Sequence, residues 1–355
     1  MDRADDGTRP VVLLDPAPQT RERIFAPADW ERLQGTFRVI EIAGMSAPSI
    51  DELLGEAFAL VGQTDLSEQR LDRAPRLRAI CNVEGNFFPN IAYQRCFERG
   101  IYVLGCGRAY AEAVAEYALG LAIDLCRGIT RCDRAFRAGV ERYLAEGNRD
   151  AISLLGARVG FIGFGHLARA LRPLLQPFRT RISCFDPWVP DNLLREAGVE
   201  PASLDQVLSQ SDLVFVLAAS TSENESMLDA RALDLPQRGT PMVFVSRSAV
   251  VDLPALLERV ADGRLTAAVD VWPTEPLAFD DPARHLQGLV LSAHLAGAMP
   301  AAFQMIGSMV VDDLLQVRRG LPPMRMQVAT RELISRYRSR PVTGRERHGP
   351  GHAVP

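Results

Sequence analysis

Along most of this chain, short apolar runs alternate with stretches of helical spacing, and the alternation occurs in two successive series. This pattern is typical of βαβ units, in which helices connect the parallel strands of a sheet. The first series predicts five strands, at residues 11–14, 38–42, 59–61, 77–81 and 101–104. The second predicts six, at residues 158–162, 181–185, 213–217, 242–245, 266–271 and 289–293. Because six strands make a doubly wound dinucleotide-binding sheet, the chain is expected to be an α/β protein.

Two long amphipathic helices and a polar tail complete the predicted organisation. One helix is expected at residues 111–127 and ends near Gly128, and the other, at residues 300–319, ends before Gly320. Residues 331–355 contain six arginines, two glutamates and few apolar side chains. A segment of this composition cannot bury enough apolar surface to fold, so we expect a disordered tail.

Arginine supplies all forty basic residues, because the sequence contains no lysine. This excludes chemistry that needs an amine side chain, such as a Schiff base or the lysine of a phosphate-binding P-loop. The remaining cation is a planar guanidinium, which binds an oxyanion through two parallel hydrogen bonds. A net charge of −4 gives no indication of nucleic-acid binding.

The sequence also gives no indication of a membrane segment, a secretion signal or a metal site. No apolar run reaches the roughly 18 residues that a membrane helix needs, and the first residues lack the features of a signal peptide. The six cysteines are scattered, without the paired spacing of metal ligands. We therefore expect reduced thiols, a cytoplasmic location, no membrane association and no bound metal.

The second series opens with a strand that runs directly into a glycine-rich loop and a helix. Gly163 permits a tight turn, and Gly165 lets the backbone approach a pyrophosphate. Ala168 is small enough for the helix and the strand to pack closely. The amides of His166 and Leu167 would face the phosphates, where the helix dipole favours negative charge.

An acidic residue stands where such a sheet binds the adenosine ribose. Asp186 follows Gly163 by twenty-three residues, at the end of the next predicted strand. A carboxylate there can accept both ribose hydroxyls and would repel a 2′-phosphate, which favours NAD over NADP. Arg179 and Arg181 lie nearby, but neither follows the strand end. The alternative, purely structural interpretation is that the glycines only make a turn and that Asp186 caps a helix.

Three polar side chains follow consecutive strands of the second series, at the edge where parallel sheets bind ligands. Arg247, Glu275 and His294 come after the fourth, fifth and sixth predicted strands. The arginine can hold an oxyanion and polarise a carbonyl, and the imidazole can transfer a proton at neutral pH. The glutamate would orient the imidazole and favour its protonated form. Hydride transfer to a 2-oxoacid requires this combination of groups.

Each of the three side chains also has a non-catalytic interpretation: a solvated arginine, a loop glutamate and a satisfied core histidine. Their occurrence together, behind a nucleotide loop, favours the catalytic interpretation. His294 is the only good acid–base candidate among the five histidines. The others lie in the phosphate loop, in a polar stretch and in the tail: His166, His285, His348 and His352.

With these motifs the chain resembles the D-isomer-specific 2-hydroxyacid dehydrogenase family, and within it the D-3-phosphoglycerate dehydrogenases. The resemblance covers about residues 77–320. Its motifs are GFGHLA at 163–168, VSR at 245–247, DVWPTEP at 270–276 and HLAG at 294–297. The third of these is the most specific.

The resemblance implies a Rossmann-type doubly wound parallel sheet inserted into a second, flavodoxin-like α/β substrate domain. The implied segments are 8–106 and 300–330 for the substrate domain, 107–299 for the NAD-binding domain and its interdomain helix, and 331–355 for the tail. The resemblance also implies NAD as coenzyme, a small anionic substrate, and a homodimer formed largely by the nucleotide domains.

The family roles correspond to the roles inferred above for Arg247, Glu275 and His294. The resemblance also implies that Asp270 contacts the nicotinamide carboxamide. The residues expected to contact the coenzyme are Gly163, Gly165, His166, Leu167, Asp186, Ala218, Val245, Ser246, Asp270, His294 and Gly297.

Departures from the family pattern leave the substrate open. Ser248 stands where a glycine usually follows the catalytic arginine, and Ala293 stands where a proline usually precedes the histidine. The substrate-domain loop, which normally presents two glycines and an aspartate, here contains Glu84, Gly85 and Asn86.

Arg108 is a second candidate cation for the substrate. It lies where the family tends to carry other residues, and we hypothesise that it binds a phosphate, a phosphonate or a second carboxylate. A solvated surface arginine is the alternative. The full set of expected substrate contacts is Glu84, Gly85, Asn86, Arg108 and Arg247.

The leading functional prediction is an NAD-dependent dehydrogenase that acts on a small anionic D-2-hydroxyacid. One alternative keeps the chemistry but uses another oxyanion, such as a hydroxyalkyl phosphonate, because a guanidinium binds planar and tetrahedral oxyanions alike. A second alternative is a non-catalytic NAD-sensing scaffold, since a fold alone does not determine function.

Overall fold

Two mostly parallel β-sheets organise the protein, which we describe for residues 9–337 from a computed structural model. Each sheet belongs to its own structural unit. Residues 9–110 and 298–337 form the first unit, and residues 111–297 form the second. The assignment of these units to substrate and coenzyme stays a prediction at this point.

The strands of the described residues, in chain order, are β1 Val11–Asp15, β2 Arg38–Glu41, β3 Ala57–Gly62, β4 Ala79–Asn82, β5 Tyr102–Gly105, β6 Arg158–Ile162, β7 Arg181–Phe185, β8 Glu200–Pro201, β9 Leu213–Val216, β10 Thr240–Phe244, β11 Leu265–Val269, β12 Leu289–Leu291 and β13 Gln327–Val328. The helices are α1 Arg21–Ile24, α2 Pro27–Thr36, α3 Ala47–Leu53, α4 Glu68–Asp72, α5 Tyr93–Arg99, α6 Ala111–Arg127, α7 Ile129–Arg137, α8 Leu144–Gly147, α9 His166–Leu175, α10 Asp191–Glu196, α11 Leu204–Gln210, α12 Ala230–Leu233, α13 Leu253–Ala261, α14 Pro300–Arg318 and α15 Arg331–Arg336.

The sheet of the first unit has the strand order β13-β5-β4-β3-β1-β2, and only the β13–β5 pair is antiparallel. Alternate residues of β1 enter different apolar clusters: Val12 and Leu14 lie in one, and Val11 and Leu13 in the other. A parallel strand covered on both faces is expected to show this continuous burial. Helix α14 packs into the first of these clusters, which makes it part of this unit.

The sheet of the second unit is fully parallel, with the strand order β12-β11-β10-β9-β6-β7-β8. The chain starts in the middle at β6, continues outward through β7 and β8, and then crosses to the other side at β9. The order therefore reverses between β6 and β9. Ligands of open parallel sheets bind at such a reversal, beyond the carboxyl ends of the strands.

The predicted bounds of α6 are confirmed. The helix extends over Ala111–Arg127 and buries Val114, Ala118 and Ala122 on one face. Gly128 follows in the left-handed region, with a φ of 62°, a conformation that glycine adopts readily and that ends helices.

All eleven strands predicted from the sequence are present, each with ends within two residues of the expected positions. The two further strands, β8 and β13, contain two residues each. Runs this short carry no measurable periodicity, so apolar patterning could not reveal them.

The predicted disorder from Arg331 onward is wrong for its first six residues, which form helix α15. Thr330 caps this helix by accepting a hydrogen bond from the amide of Leu333 at 3.2 Å, and Leu333 and Ile334 pack against the core of the first unit. A cap and two apolar contacts therefore order a segment that composition alone placed in the tail. Residues 338–355, the rest of that tail, lie outside the described part of the chain.

Candidate active site

The phosphate loop of the second unit has the shape that its sequence predicts. Gly163 follows β6 with a φ of 95°, and a Cβ there would lie 2.7 Å from the backbone of Ala218. Glycine is therefore the residue that this turn can hold. Gly165 precedes α9, and a Cβ there would meet nothing within 4 Å. The open space in front of the α9 amino terminus suits the close approach of a pyrophosphate.

The loop residues His166, Leu167 and Ala168 form the first turn of α9, and Ala168 is fully buried. The amides of a first turn have no partner within the helix, so they are available to a bound anion. A phosphate could interact there with the positive end of the helix dipole.

Asp186 follows β7 and is bonded to the phosphate loop. Its Oδ2 accepts a hydrogen bond from the amide of Phe164 at 2.7 Å, and its Oδ1 accepts one from the amide of Trp188 at 2.9 Å. The indole Nε1 of Trp188 in turn donates to Oε2 of Glu223 at 3.2 Å. Asp186 thus stands beside the glycine loop, and its contact with a ribose stays a prediction.

A histidine–carboxylate pair lies at the carboxyl edge of the same sheet. Nδ1 of His294 lies 2.9 Å from Oε2 and 3.1 Å from Oε1 of Glu275. The Glu275 side chain is 11% exposed and that of His294 is 29% exposed. Because the carboxylate accepts a proton donated by Nδ1, the second ring nitrogen, Nε2, is the one that can exchange a proton with a ligand.

Trp272 connects both members of this pair to the sheet. Its backbone amide donates to Oε1 of Glu275 at 3.1 Å, and its indole Nε1 donates to the carbonyl of Ser292 at 2.8 Å. The side chain is buried. Trp272 therefore fixes both the carboxylate of Glu275 and the strand end that leads into His294.

Asp270 organises the loop that carries the imidazole. Its carboxylate accepts hydrogen bonds from the Ser292 hydroxyl and from the amides of Leu295, at 2.8 Å, and Ala296, at 3.2 Å. Its carbonyl accepts the amide of His294 at 2.9 Å. Both carboxylate oxygens thus accept bonds from this loop, and the expected contact of Asp270 with a nicotinamide carboxamide stays a prediction.

Arg247 is the third polar residue at the carboxyl edge of this sheet. It follows β10, and β10, β11 and β12 are successive neighbours in the sheet, so their carboxyl ends bring Arg247 to the same edge as Glu275 and His294. Nη1 of Arg247 donates to the carbonyl of Ser246 at 2.7 Å, which folds the guanidinium back over its own strand end.

A buried hydroxyl at this edge supports the binding of a polar ligand. Ser246 is 3% exposed, and its Oγ has no hydrogen-bond partner among the described residues. A buried hydroxyl left unpaired is costly, and a ligand that bonds to it would remove the cost. The unpaired Oγ and the open cradle at Gly165 both fit a dinucleotide. Of the remaining expected contacts, Val245 ends β10 in a buried position and Gly297 closes the His294 loop.

The predicted substrate residues of the first unit share one edge of their own sheet. Glu84, Gly85 and Asn86 follow β4, and Arg108 follows β5 in a 3₁₀ turn. A Cβ on Gly85 would lie 3.0 Å from the ring of Tyr110, so the loop and the turn are close. Arg108 is exposed and has no ion-pair partner among residues 9–337. Their contact with a substrate stays a prediction.

The five buried cysteines are unsuited to nucleophilic chemistry. All six are free thiols, and five are buried. Burial raises the pKa of Cys106 and of Cys184 to about 12, so neither forms a thiolate near neutral pH. Residues 9–337 contain no cluster of three or more side chains that could hold a metal ion, and none of their helices is long and apolar enough to cross a membrane.

Sequence reasoning missed three residues that support this site. Trp272 lies inside a quoted motif but had no assigned role, and Ser292 was counted only as part of a strand. Tyr117 lay on a helix predicted to be amphipathic, where a single tyrosine gives no signal. Its hydroxyl lies 2.8 Å from Oγ of Ser292. Only the fold reveals this contact, because 175 residues separate the two side chains.

The chain is similar to several characterised proteins. Residues 119–296 match a family model described as the NAD-binding domain of D-isomer-specific 2-hydroxyacid dehydrogenases. A solved structure described as a phosphoglycerate oxidoreductase from Rhizobium etli is 44% identical, with a TM-score of 0.83, and the match covers 91% of this chain and 99% of that one.

Two curated relatives are more distant. A glyoxylate reductase of Korarchaeum cryptofilum is 29% identical over 255 residues, 71% of this chain and 76% of that protein. A D-3-phosphoglycerate dehydrogenase of Mycobacterium bovis is 27% identical over 281 residues, which cover 78% of this chain and 52% of that protein. The match therefore spans about half the length of the second relative.

The family match begins within α6 and ends two residues after His294. It thus contains the phosphate loop and the whole edge that carries the polar side chains, while the Rhizobium etli structure extends the likeness to most of the chain. The motifs expected from the sequence and the observed sheet agree with this match. We conclude that the chain belongs to the D-isomer-specific 2-hydroxyacid dehydrogenase family and that its coenzyme is NAD.

Proposed function

We propose that this protein transfers a hydride between NAD and C2 of a small anionic D-2-hydroxyacid or 2-oxoacid. The observation that carries the proposal is the Glu275–His294 pair, with its 2.9 Å contact, at the carboxyl edge of a family NAD-binding sheet. A carboxylate that holds one nitrogen of an imidazole leaves the other aimed for proton transfer. Such a pair has little use in a protein that only binds a nucleotide.

The residues of this chain would have the following roles in the reaction. Bound NAD supplies the hydride acceptor or, when reduced, the hydride donor. His294 would exchange the hydroxyl proton of the substrate through Nε2 while Glu275 holds Nδ1. Arg247 would bind the substrate oxyanion and polarise the adjacent carbonyl. The coenzyme would be held by the glycine loop, by Asp186 and by the residues around Ser246.

The substrate class is a small acid with at least one oxyanion. The similar proteins are named for phosphoglycerate and glyoxylate, and both substrates fit a guanidinium that binds a carboxylate. A hydroxyalkyl phosphonate is the alternative, because the geometry of Arg247 alone does not select a planar over a tetrahedral oxyanion.

The test is a panel of 2-oxoacids and 2-hydroxyacids, with matched phosphonates, followed by NADH absorbance on the full chain. We expect turnover with at least one carboxylate and weaker turnover with its phosphonate. NADH binding is measured separately by fluorescence. Tight NADH binding without turnover of any compound would contradict the proposal and favour an NAD-sensing scaffold.

We further propose that the protein is a homodimer formed by the second unit. The segment after α6 exposes large apolar side chains, including Phe136 at 63% and Leu144 at 86% exposure. Ile129, Val140 and Tyr143 are also exposed in this segment. Exposed apolar surface of this kind usually marks an interface, and a second copy of the chain would cover it symmetrically.

Sedimentation of the full chain tests the dimer. The wild-type protein is expected to sediment as a dimer, and the double variant Phe136→Ser, Leu144→Ser as a monomer with the same NADH affinity. A monomeric wild-type protein at micromolar concentration would contradict the proposal. The matched control is Phe279→Ser, which removes an even more exposed aromatic side chain, 93% exposed, from outside this segment.

A further inference from the structure

A chain of hydrogen bonds runs from helix α6 to the loop that carries His294. The hydroxyl of Tyr117 lies 2.8 Å from Oγ of Ser292, and Ser292 is bonded to Oδ1 of Asp270. The Ser292 hydroxyl donates its single proton to Asp270. Tyr117 must therefore be the donor to Ser292. The direction of every bond in the chain follows from this.

The far end of the chain is the backbone on either side of the imidazole. Asp270 accepts the amides of Leu295 at 2.8 Å and Ala296 at 3.2 Å, and its carbonyl accepts the amide of His294. We call the set Tyr117, Ser292 and Asp270 the loop anchor. The loop anchor includes Ser292, two positions before His294. It also binds the amides of Leu295 and Ala296, the two residues after His294.

The loop needs such an anchor because its backbone is strained. His294 has a φ of 57°, in the left-handed region that side chains other than glycine rarely adopt. A non-glycine residue keeps this conformation only where the surroundings enforce it. The preceding residue is Ala293, whose φ is not restrained by a ring as that of a proline would be. Hydrogen bonds to the loop can supply a restraint instead.

Helix α6 is a suitable support for the anchor. It packs against β10 and β11 of the same unit, and the residues around Tyr117, including Ala115 and Ala118, are buried. The helix that carries the Tyr117 phenol is held in place by this packing. It can therefore transmit the position of the sheet to the loop without touching a ligand.

We propose that Tyr117 is a positioning residue for the acid–base imidazole. It acts through Ser292 and Asp270, which hold His294 in the left-handed conformation that keeps Nδ1 at Glu275. This inference rests on the proposed function, because it assigns Tyr117 a part in the chemistry of the same site. Loss of the phenol hydroxyl should leave the fold and ligand binding intact and lower the rate of proton transfer.

Kinetics of the full chain test the proposal with Tyr117→Phe. Small displacements of a catalytic group cost about tenfold to a hundredfold in rate, so we expect kcat to fall about tenfold at unchanged KM. Ser292→Ala should lose a similar factor, and Ser292→Thr, which keeps the hydroxyl, should retain most of the activity. The double variant Tyr117→Phe, Ser292→Ala should lose no more than the larger single loss, because both residues act through one chain.

The control is Tyr102→Phe, which removes a phenol hydroxyl from the amino end of β5 in the first unit. Its kcat should equal that of the wild-type protein. A rise in KM with unchanged kcat in Tyr117→Phe, or additive losses in the double variant, would overturn the positioning role.

Hydrogen exchange provides a readout that needs neither substrate nor coenzyme. The amides of Leu295 and Ala296 should exchange severalfold faster in Tyr117→Phe than in the wild-type protein and Tyr102→Phe, while β6 and β9 exchange at the same rate in all three. Unchanged exchange at both amides would refute the anchor. If the wild-type protein turned over no substrate, the proposed function would fail, and exchange would still decide whether Tyr117 holds the loop.

Discussion

Glu275 and His294 come from the loops after two neighbouring strands, β11 and β12, and meet with a 2.9 Å contact between Oε2 and Nδ1. Nineteen residues separate them in the chain, so only the parallel pairing of these strands brings them together. The carboxylate is also held by the amide of Trp272. Both partners therefore have a defined orientation before any ligand binds, which favours catalysis.

This pairing predicts that Glu275→Gln lowers kcat by about a hundredfold, within the range that acid–base groups contribute. The amide keeps the size of the side chain but removes the charge that holds the imidazole. NADH affinity should not change. The matched control is Glu258→Gln on α13, where the glutamate is exposed and paired with Arg259; a similar loss in that variant would show that the effect is not specific to the pair.

The phosphate loop predicts a loss of coenzyme binding in Gly163→Ala. A Cβ there would lie 2.7 Å from the backbone of Ala218, and the φ of 95° strains any side chain. We expect the Kd for NADH, measured by fluorescence titration, to rise at least about tenfold, because pyrophosphate binding needs this turn.

Gly156→Ala is the control for strain alone. Gly156 has a φ of 75°, but a Cβ there would meet nothing within 4 Å. That variant should lose about 1 kcal/mol of stability from the backbone conformation and keep its NADH affinity. Equal Kd values for the two variants would mean that the glycine loop is not the phosphate site.

The exposed Arg108 predicts that its replacement changes kcat/KM differently for dianionic and monoanionic substrates. If it binds a second anionic group, Arg108→Ala should lower kcat/KM for a dianionic substrate at least about tenfold, the value of one charge-assisted hydrogen bond, and leave a monoanionic substrate unaffected. The control is Arg76→Ala, another exposed arginine of the first unit. Equal losses of kcat/KM on both substrates would contradict the proposal that Arg108 binds a second anionic group.

The Arg158–Asp212 pair predicts an acid-dependent part of the stability. Asp212 accepts the side chain of Arg158 at 2.6 Å and its backbone amide at 2.8 Å, and the hydrogen bond from the arginine side chain lowers the pKa of Asp212. A carboxyl with a lowered folded-state pKa stabilises the fold above its unfolded pKa of about 3.9, and this contribution is lost as the pH falls through the folded value.

Urea unfolding between pH 7 and pH 3 measures this contribution. Asp212→Asn should be less stable than the wild-type protein at pH 7 by about 0.5 kcal/mol, the scale of a partly exposed pair, and the difference should shrink toward pH 3. The control Asp191→Asn removes an exposed carboxylate that lies 3.4 Å from Arg195 and should change little. A difference that is constant with pH would show that ionisation of Asp212 is not its cause.

Much of the fold was predictable because buried parallel strands consist of continuous apolar runs in the sequence. The strands at Arg158–Ile162 and Arg181–Phe185 and helix α6 have the expected ends, since each is bounded by polar residues or glycine. The sequence could not show where β12 ends. The predicted strand continues to Ala293, but β12 ends at Leu291, and the hydroxyl of the next residue, Ser292, bonds to Asp270.

The contact between Glu275 and His294 was also predictable, since both residues follow neighbouring parallel strands. Their support was not. Tyr117 and Ser292 are far apart in the chain, and the left-handed backbone of His294 has no sequence signal without a glycine. Contacts of this kind depend on tertiary packing, which periodicity does not encode.

Replacement of the imidazole tests the central claim most directly. His294→Gln keeps a polar side chain of similar length but cannot transfer a proton near neutral pH. On the best substrate of the panel, we predict that its kcat falls at least about a thousandfold, within the range of acid–base catalysis, while the Kd for NADH changes less than about twofold. Turnover by His294→Gln at the wild-type rate would contradict the account.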